Sequence, residues 1–512
     1  MYLIGYDVGS SSVKASLIDS ISGKEIVSDY FPKDEMKINA PHPLWAEQDP
    51  QQWWSNLKLA HHSVITKAKS ITNSEGDLNI IGIGISFQMH GLVIVDKDKN
   101  VLRPSIIWCD SRAVGIGEKA FESLGRDYCL SHFLNSPGNF TASKLSWVKE
   151  NEPEIFKRIY KFMLPGDYIA MKLTGEITTT IESLSEAVLW DFQSNTVSEK
   201  LLNYFGIPND FIPDIKPVFG VQGTVSLEAA LELSGIKEGV PVTYRSGDQP
   251  NNAFSLNVMK KGELASTAGT SGVVYGVLDH LAYDKQSRVN TFAHVNYNAQ
   301  SNDKRLGVLL CINGTGILYS WLKRNLMSVA GVDGESKSMT YDEMNELSSQ
   351  SPIGSKGLLI VPFGNGSERI LSPLNYNSCT IHGINFNIHC QKDILRAAQE
   401  GIAYAYELGM EIMRDMGMDL KVIRACSSNM FKSKVFLQTL SNISGVKIEI
   451  YNTDGSTGAA RGAGVGCGVY KNMNDAFQSL EKINEITPIL NDTHKCKESY
   501  NEWKHLLNKI YK

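Results

Sequence analysis

Apolar positions along the chain fall into short blocks divided by glycine- and hydroxyl-rich turns. That spacing predicts many short strands with helices between them. Tyr2 to Tyr6 reads as an apolar strand and Val13 to Ile18 alternates as a second, linked by Asp7-Val8-Gly9-Ser10-Ser11-Ser12. Residues 79–95 repeat the design with a turn at Gln88-Met89-His90-Gly91. Residues 104–112 give a further strand that ends in Trp108, Cys109, Asp110 and Arg112. Asp49-Pro50 predicts a helix start carrying Trp53 and Trp54 into a core, while Trp45 and Glu47 sit in the loop before it. A helix begins at Thr141 or Ser143, and 163–175 adds a loop and another helix. From Ile207 to Val240 the pattern becomes loop-like, with Pro208, Pro213 and Pro217, which places a domain boundary near Pro241.

The second half begins with a strand ending at Asp248, then a helical run. Glu263 to Thr267 and Val273 to Tyr275 read as strands joined by the tight turn Gly269-Thr270-Ser271-Gly272. Leu309 to Gly316, with Asn313 and Gly314, leads into a helix through Trp321. Residues 357–373 give a strand and a long loop holding Glu368 and Arg369. Residues 393–416 carry a strong helical apolar face; 421–433 give a strand and a small-residue turn at Cys426-Ser427-Ser428-Asn429. The glycine- and alanine-rich stretch 453–468 suits close packing against a neighbouring helix or a nucleotide, and Tyr500, Trp503, Leu507 and Ile510 mark a closing helix.

Composition narrows the class. With 512 residues, 42% apolar and 21% charged, the chain is long enough for two domains with separate cores. A net charge of −5 gives no electrostatic reason to expect nucleic acid or an anionic membrane. The start carries no basic, cleavable leader and no run reaches transmembrane length, so a cytoplasmic protein is expected. Eight scattered cysteines form no CxxC pair, which argues against zinc and a disulfide framework.

The chemistry lies in the two strand–turn–strand units. Glycines between small hydroxyl residues let several backbone N–H groups converge, which suits a phosphate. Neither unit is a Rossmann loop or a P-loop, since each of those needs a helix after its turn. Asp7, at a strand end beside such a turn, is placed to hold Mg²⁺ directly or through water. Asp248 is a carboxylate near the second cradle, suited to take a proton from an attacking alcohol. Each feature also has an ordinary alternative, a hairpin turn or a helix cap. For Asp110 and Arg112 the alternatives are a structural ion pair or hydrogen bonds to polyol hydroxyls, with Trp108 stacked on the carbon skeleton. Two similar hairpins, one opening each half, suggest an internal duplication in an α/β fold of two actin-like (RNase H-like) ATPase domains with a nucleotide in the central cleft.

The motifs GYDVGSSSVK, PHPLWAEQDPQQWW, FQMHG, SIIWCDSR, SGDQPNNAF, TAGTSG, PFGNGSER and TDGSTGAARGAG resemble the FGGY family of carbohydrate kinases over almost the whole chain. The EQDP loop and QMHG turn are most similar to members acting on D-xylulose. The resemblance implies a sugar-binding domain over 1–240, an ATP-binding domain over 241–512, and phosphorylation of D-xylulose to D-xylulose 5-phosphate. Other ketopentoses or polyols (ribulose, fuculose, rhamnulose, glycerol) are the alternative acceptors, and a non-catalytic sugar- or nucleotide-binding protein is a third reading. The resemblance implies Asp248 as general base and Asp7 as the Mg²⁺ residue. Gln88, Met89, His90, Trp108, Asp110 and Arg112 would lie about the sugar. Ser10, Ser11, Lys14, Gly269, Thr270, Ser271, Gly272, Asn313, Gly314, Ser428 and Asn429 would lie about ATP. A homodimer is implied by the family alone. The chain departs from it where many members carry three glycines near the adenosine and this one has Cys426-Ser427-Ser428-Asn429, and where Ser10-Ser11-Ser12 replaces the commoner Thr-Ser-Gly.

Overall fold

The computed structural model describes residues 1–330, 336–371 and 378–511, so the last two positions of the loop read over 357–373 lie outside the described residues. The expected strands form. Tyr2–Val8 (β1), Val13–Asp19 (β2) and Glu25–Phe31 (β3) make an antiparallel meander. Helix α1 (Pro50–Thr72) starts as the sequence predicts, with the Asp49 side chain accepting the Gln51 N–H and Pro50 in the first turn. Trp53 and Trp54 on it are fully buried. Then follow β4 (Ile80–Phe87), α2 (Thr141–Asn151), α3 (Pro165–Thr174) and α4 (Ile181–Glu186). Strands β5 (Phe219–Thr224) and β6 (Pro241–Gly247) complete a six-stranded sheet of order β5-β6-β4-β1-β2-β3. The stretch expected as loop over 207–240 therefore contains an edge strand, and a short helix at Leu227–Glu232 as well. Pro241 opens a strand of this first sheet, so the change of sheet comes later than expected.

Helix α5 (Asp248–Ser255) leads into the second sheet. Its strands are β7 (Glu263–Ala268), β8 (Gly272–Leu278), β9 (Asn290–Ala293) and β10 (Leu306–Ile312), then, beyond α6 (Gly316–Leu326) and the long α7 (Gln391–Asp415), β11 (Val422–Cys426) and β12 (Lys447–Tyr451). Helix α8 (Gly455–Gly466) and β13 (Lys482–Ile486) follow, and α9 (Leu490–Ile510) closes the chain. The order is β9-β10-β8-β7-β11-β12-β13.

The two sheets share one plan. In each, a hairpin (β1–β2, β7–β8) lies parallel to a third strand (β4, β11), which lies parallel to a fourth (β6, β12). Helix α5 reaches β7 and β8 of the second sheet, and α8 lies on β1, β4 and β6 of the first. The small residues of 453–468 thus approach a neighbouring helix, as expected, and a sheet as well: α5 packs on α8, where a Cβ on Gly458 would lie 2.6 Å from the Ser255 Cβ. A Cβ on Gly5 would sit 2.0 Å from the Ser456 carbonyl oxygen, and one on Gly84 would sit 1.9 Å from that of Ala459. Only glycine permits that approach.

Candidate active site

A cavity of about 510 Å³ opens where β1 and β6 end, lined by Asp7, Ser10, Ser11, Lys14, Trp108 and Asp248, with Gln88 beside them. The β1–β2 turn forms one wall, and its carbonyls are tied into the fold. Ser10 O accepts the Gln48 side-chain amide at 2.7 Å, Ser11 O accepts Met36 N–H at 2.8 Å and Ser12 O accepts Gly9 N–H at 3.0 Å. In a trans peptide the N–H points opposite its C=O, so the N–H groups of Ser11, Ser12 and Val13 are turned away from those anchors. The β7–β8 turn is pinned in the same way by the head of α6: Gly316 and Ile317 N–H donate to the carbonyls of Gly269 and Thr270, both at 3.0 Å. The Thr270 and Ser271 N–H groups then face away from α6. A Cβ on Gly272 would lie 2.1 Å from the Tyr406 hydroxyl, which fixes that position as glycine.

Two carboxylates stand on the cavity. Asp7 accepts the Ser86 hydroxyl at 2.7 Å, and burial raises its pKa. Asp248 is the first residue of α5, and burial with the nearby Asp7 charge raises its pKa to about 7. Lys14 is ion-paired with Asp454, the N-cap of α8. Lys14, the one lysine lining the cavity among the described residues, is therefore already partly neutralised, by a partner not foreseen from the sequence.

The Gln88–Gly91 turn lies alongside. Gln88 is buried, with its amide donating to Gln48 at 3.3 Å. Met89 packs on the backbone just before Asp248, where a Cβ on Gly247 would meet its Cγ at 2.7 Å. His90 adopts a left-handed φ of 61°, and burial lowers its pKa to about 3, so the ring is neutral. It contacts Phe140 and, across the cleft, Phe292 of β9. Behind it Lys144 donates to the carbonyls of His90 and Ile107 at 2.7 and 3.0 Å.

Trp108 is half exposed on the cavity, with its indole N–H 3.4 Å from the Ser10 hydroxyl. For Asp110 and Arg112 the structure shows the ion pair of the first alternative. Both are buried: Asp110 accepts the Ala46 N–H at 2.6 Å and the Arg112 guanidinium at 2.8 Å. Arg112 also pairs with Glu47 at 2.7 Å and stacks 3.8 Å above Trp45. The ordinary alternative, a structural ion pair, describes them: they brace the loop that carries Trp108. Trp45 and Glu47 belong to the same brace.

On the second domain, Asn313 and Gly314 N–H donate to the buried Glu368 carboxylate at 2.9 and 3.4 Å. Those two donors are occupied by the protein itself, so they do not present the nucleotide with free N–H groups. Ser428 and Asn429 are exposed, and Asn429, at a φ of 49°, brings its amide nitrogen to 3.5 Å from a Cβ on Gly269. The Ser-Ser-Asn turn and the Gly-Thr-Ser-Gly turn therefore abut.

Sequence reasoning missed Glu182 and Glu186 on α4, both fully buried, and Asp167 paired with buried Arg245 at 3.1 Å. Burial raises the pKa of both glutamates. The one available signal was their spacing of four in an otherwise apolar, small-residue stretch, TTTIESLSEAV.

The arrangement fits a nucleoside triphosphate with a divalent cation. The β1–β2 turn lines the cavity, whereas the β7–β8 turn shares its design but lies outside that lining; Asp7 and Asp248 form an acidic pair, only partly offset by Lys14, whose raised pKa values a cation would relieve.

Comparison with known proteins agrees. The model of the FGGY family of carbohydrate kinases, N-terminal domain, matches residues 2–255, and that of the C-terminal domain matches 264–467. A xylulose kinase of Haemophilus influenzae is 26% identical over 519 residues, covering 99% of this chain and all of that one. The fold is that of the crystal structure of xylulose kinase from Rhodospirillum rubrum, at a TM-score of 0.85 and 23% identity, covering 100% of this chain and 99% of that one. It is also that of Plasmodium falciparum glycerol kinase with ADP, at 0.85 and 21%, covering 99% and 98%.

Proposed function

The chain belongs to the FGGY family of carbohydrate kinases, and from that premise we propose that it transfers the terminal phosphoryl group of ATP to the primary hydroxyl of D-xylulose. The products are D-xylulose 5-phosphate and ADP. The observation that carries the reading is Asp248. It heads a helix on the wall of the cavity, with a pKa of about 7, matched to proton abstraction near neutral pH.

Asp248 takes the proton of the sugar hydroxyl as its oxygen bonds to the γ-phosphorus and the bond to the bridging oxygen of ADP breaks. The N–H groups of the β1–β2 and β7–β8 turns hold the phosphates in line with the attacking oxygen, so positioning supplies most of the catalysis. Asp7 would hold Mg²⁺, which supplies charge neutralisation on the transferring group. Neutral His90, Gln88 and Trp108 bound the acceptor side. The choice of D-xylulose rests on the relatives and on the Gln88–Gly91 turn.

The test is ADP release with MgATP and D-xylulose, D-ribulose, L-ribulose, L-fuculose, L-rhamnulose or glycerol. A clear preference for D-xylulose is expected. Turnover of another acceptor keeps the phosphoryl transfer and moves the substrate. Silence across the panel from folded protein overturns the reading and favours a binding protein with its altered turn at 426–429.

A further inference from the structure

Helix α4 is six residues long and carries two buried carboxyl groups one turn apart. Residues four apart share a helix face, yet these two do not pair with one another or with a lysine. Each accepts a backbone N–H from a different turn of the site. Both oxygens of Glu182 lie 3.4 Å from Gly247 N, the residue before Asp248. Glu186 Oε2 lies 3.3 Å from His90 N, and the Glu186 carbonyl oxygen lies 3.2 Å from the His90 ring. His90 sits in the left-handed region, where a non-glycine residue must be held by its surroundings. The two turns also touch, Met89 against Gly247. Between the two glutamates, the Ser185 hydroxyl accepts the Ala293 N–H of β9 at 3.0 Å. One short helix therefore meets the base turn, the sugar turn and the second domain.

We propose, resting on the reading of Asp248 as base, that Glu182 and Glu186 are positioning residues: α4 holds the base turn and the sugar turn in register, Glu182 through Gly247 and Glu186 through His90. Burying two carboxyls is costly unless their hydrogen bonds are needed. Here each replaces the water that would otherwise solvate a turn amide. Because Ser185 ties α4 to β9, the same helix passes the seating of the second domain to both turns.

The test uses the full chain with Glu182→Ala, Glu182→Gln, Glu186→Ala and Glu186→Gln. Glu182→Ala is expected to lower kcat about tenfold or more with little change in either KM, and Glu186→Ala to raise the sugar KM about tenfold with the ATP KM unchanged. The Gln variants keep an acceptor and the side-chain volume, and recover most of each loss. Amide hydrogen exchange gives a readout independent of turnover: it should quicken in peptides spanning Gly247 for Glu182→Ala and spanning His90 for Glu186→Ala, with β11 and β12 unchanged. Gln variants as impaired as Ala variants, or Ala variants with normal kinetics and exchange, overturn the proposal. A wild-type chain silent on the sugar panel removes the base reading, and the exchange experiment then decides the positioning role by itself.

Discussion

Asp248 and Asp454 occupy matching places in the two sheets, each opening the helix after the fourth strand, β6 in one and β12 in the other. The backbone plan is shared and the electrostatics are opposite. Asp248 stands near the Asp7 charge, and its pKa rises to about 7 through burial and that neighbouring charge. Asp454 caps its helix through Thr457 N–H at 2.9 Å and pairs with Lys14, and its pKa is lowered despite burial. The register explains the asymmetry. Asp7 lies opposite Lys14 in the first hairpin, whereas Thr267 lies opposite Val273 at the corresponding rung of the second. A duplicated fold thus carries one buried aspartate with a raised pKa and one whose pKa is lowered despite burial, and the difference comes from two residues on a single hairpin.

The sharpest way to break this contrast is substitution at both places. Asp248→Asn should lower kcat by about 10²–10⁴ while leaving sugar and ATP binding measurable by calorimetry. Asp454→Asn should leave kcat within a few fold, and equal losses would end the distinction.

The pH profile comes next. With a base near 7 in the free enzyme, kcat/KM should climb as pH rises through about 7 and level off above it. The Asp7 charge raises the Asp248 value, so Asp7→Asn should move that limb of the residual activity to lower pH, by roughly one unit. A limb that stays in place would remove Asp7 as the cause.

The effects on stability have opposite signs. The folded pKa of Asp248 is raised above its unfolded value, so its ionisation costs stability that builds as pH rises from about 4 to about 7. Asp248→Asn should therefore raise stability, and with it Tm, at pH 8, by up to ~4 kcal/mol, and not at pH 4. The folded pKa of Asp454 is depressed, so its contribution is present above its unfolded value near 4 and is lost below it. Asp454→Ala, losing cap and ion pair together, should cost about 1 kcal/mol at pH 7, and Asp454→Asn, which retains a cap, less. Thermal melts of both sets at pH 4 and pH 8 check the signs.

The two hairpins, the helix start at Asp49, the buried Trp53 and Trp54 and the place of Asp248 at a strand end were all legible, because each is a local pattern: alternation, turn chemistry or a cap. What escaped depends on residues far apart in the chain. For Asp110 and Arg112 the sequence left an ion pair and sugar binding both open, because the contacts of Arg112 with Glu47 and Trp45 join positions some sixty residues apart. Glu182 and Glu186 look like ordinary solvated helix charges; they are buried because β9, more than a hundred residues later, docks on α4. The boundary near Pro241 rested on the loop-like pattern of 207–240, which hides β5 and a short helix, and Pro241 itself opens β6 of the first sheet, a position where proline is tolerated.

The seat of α8 on Gly5 and Gly84 also bears on how such a chain is made. As synthesis proceeds from the amino end, β1, β4 and β6 emerge with a glycine-floored groove that residues 455–466 fill only some two hundred positions later. The first sheet cannot reach its final packing while the second half is still being translated. A fragment cut near residue 255 would keep every strand of that sheet and lack the helix that covers it. The wall that carries Asp248, packed against that same helix through α5, would then be completed last.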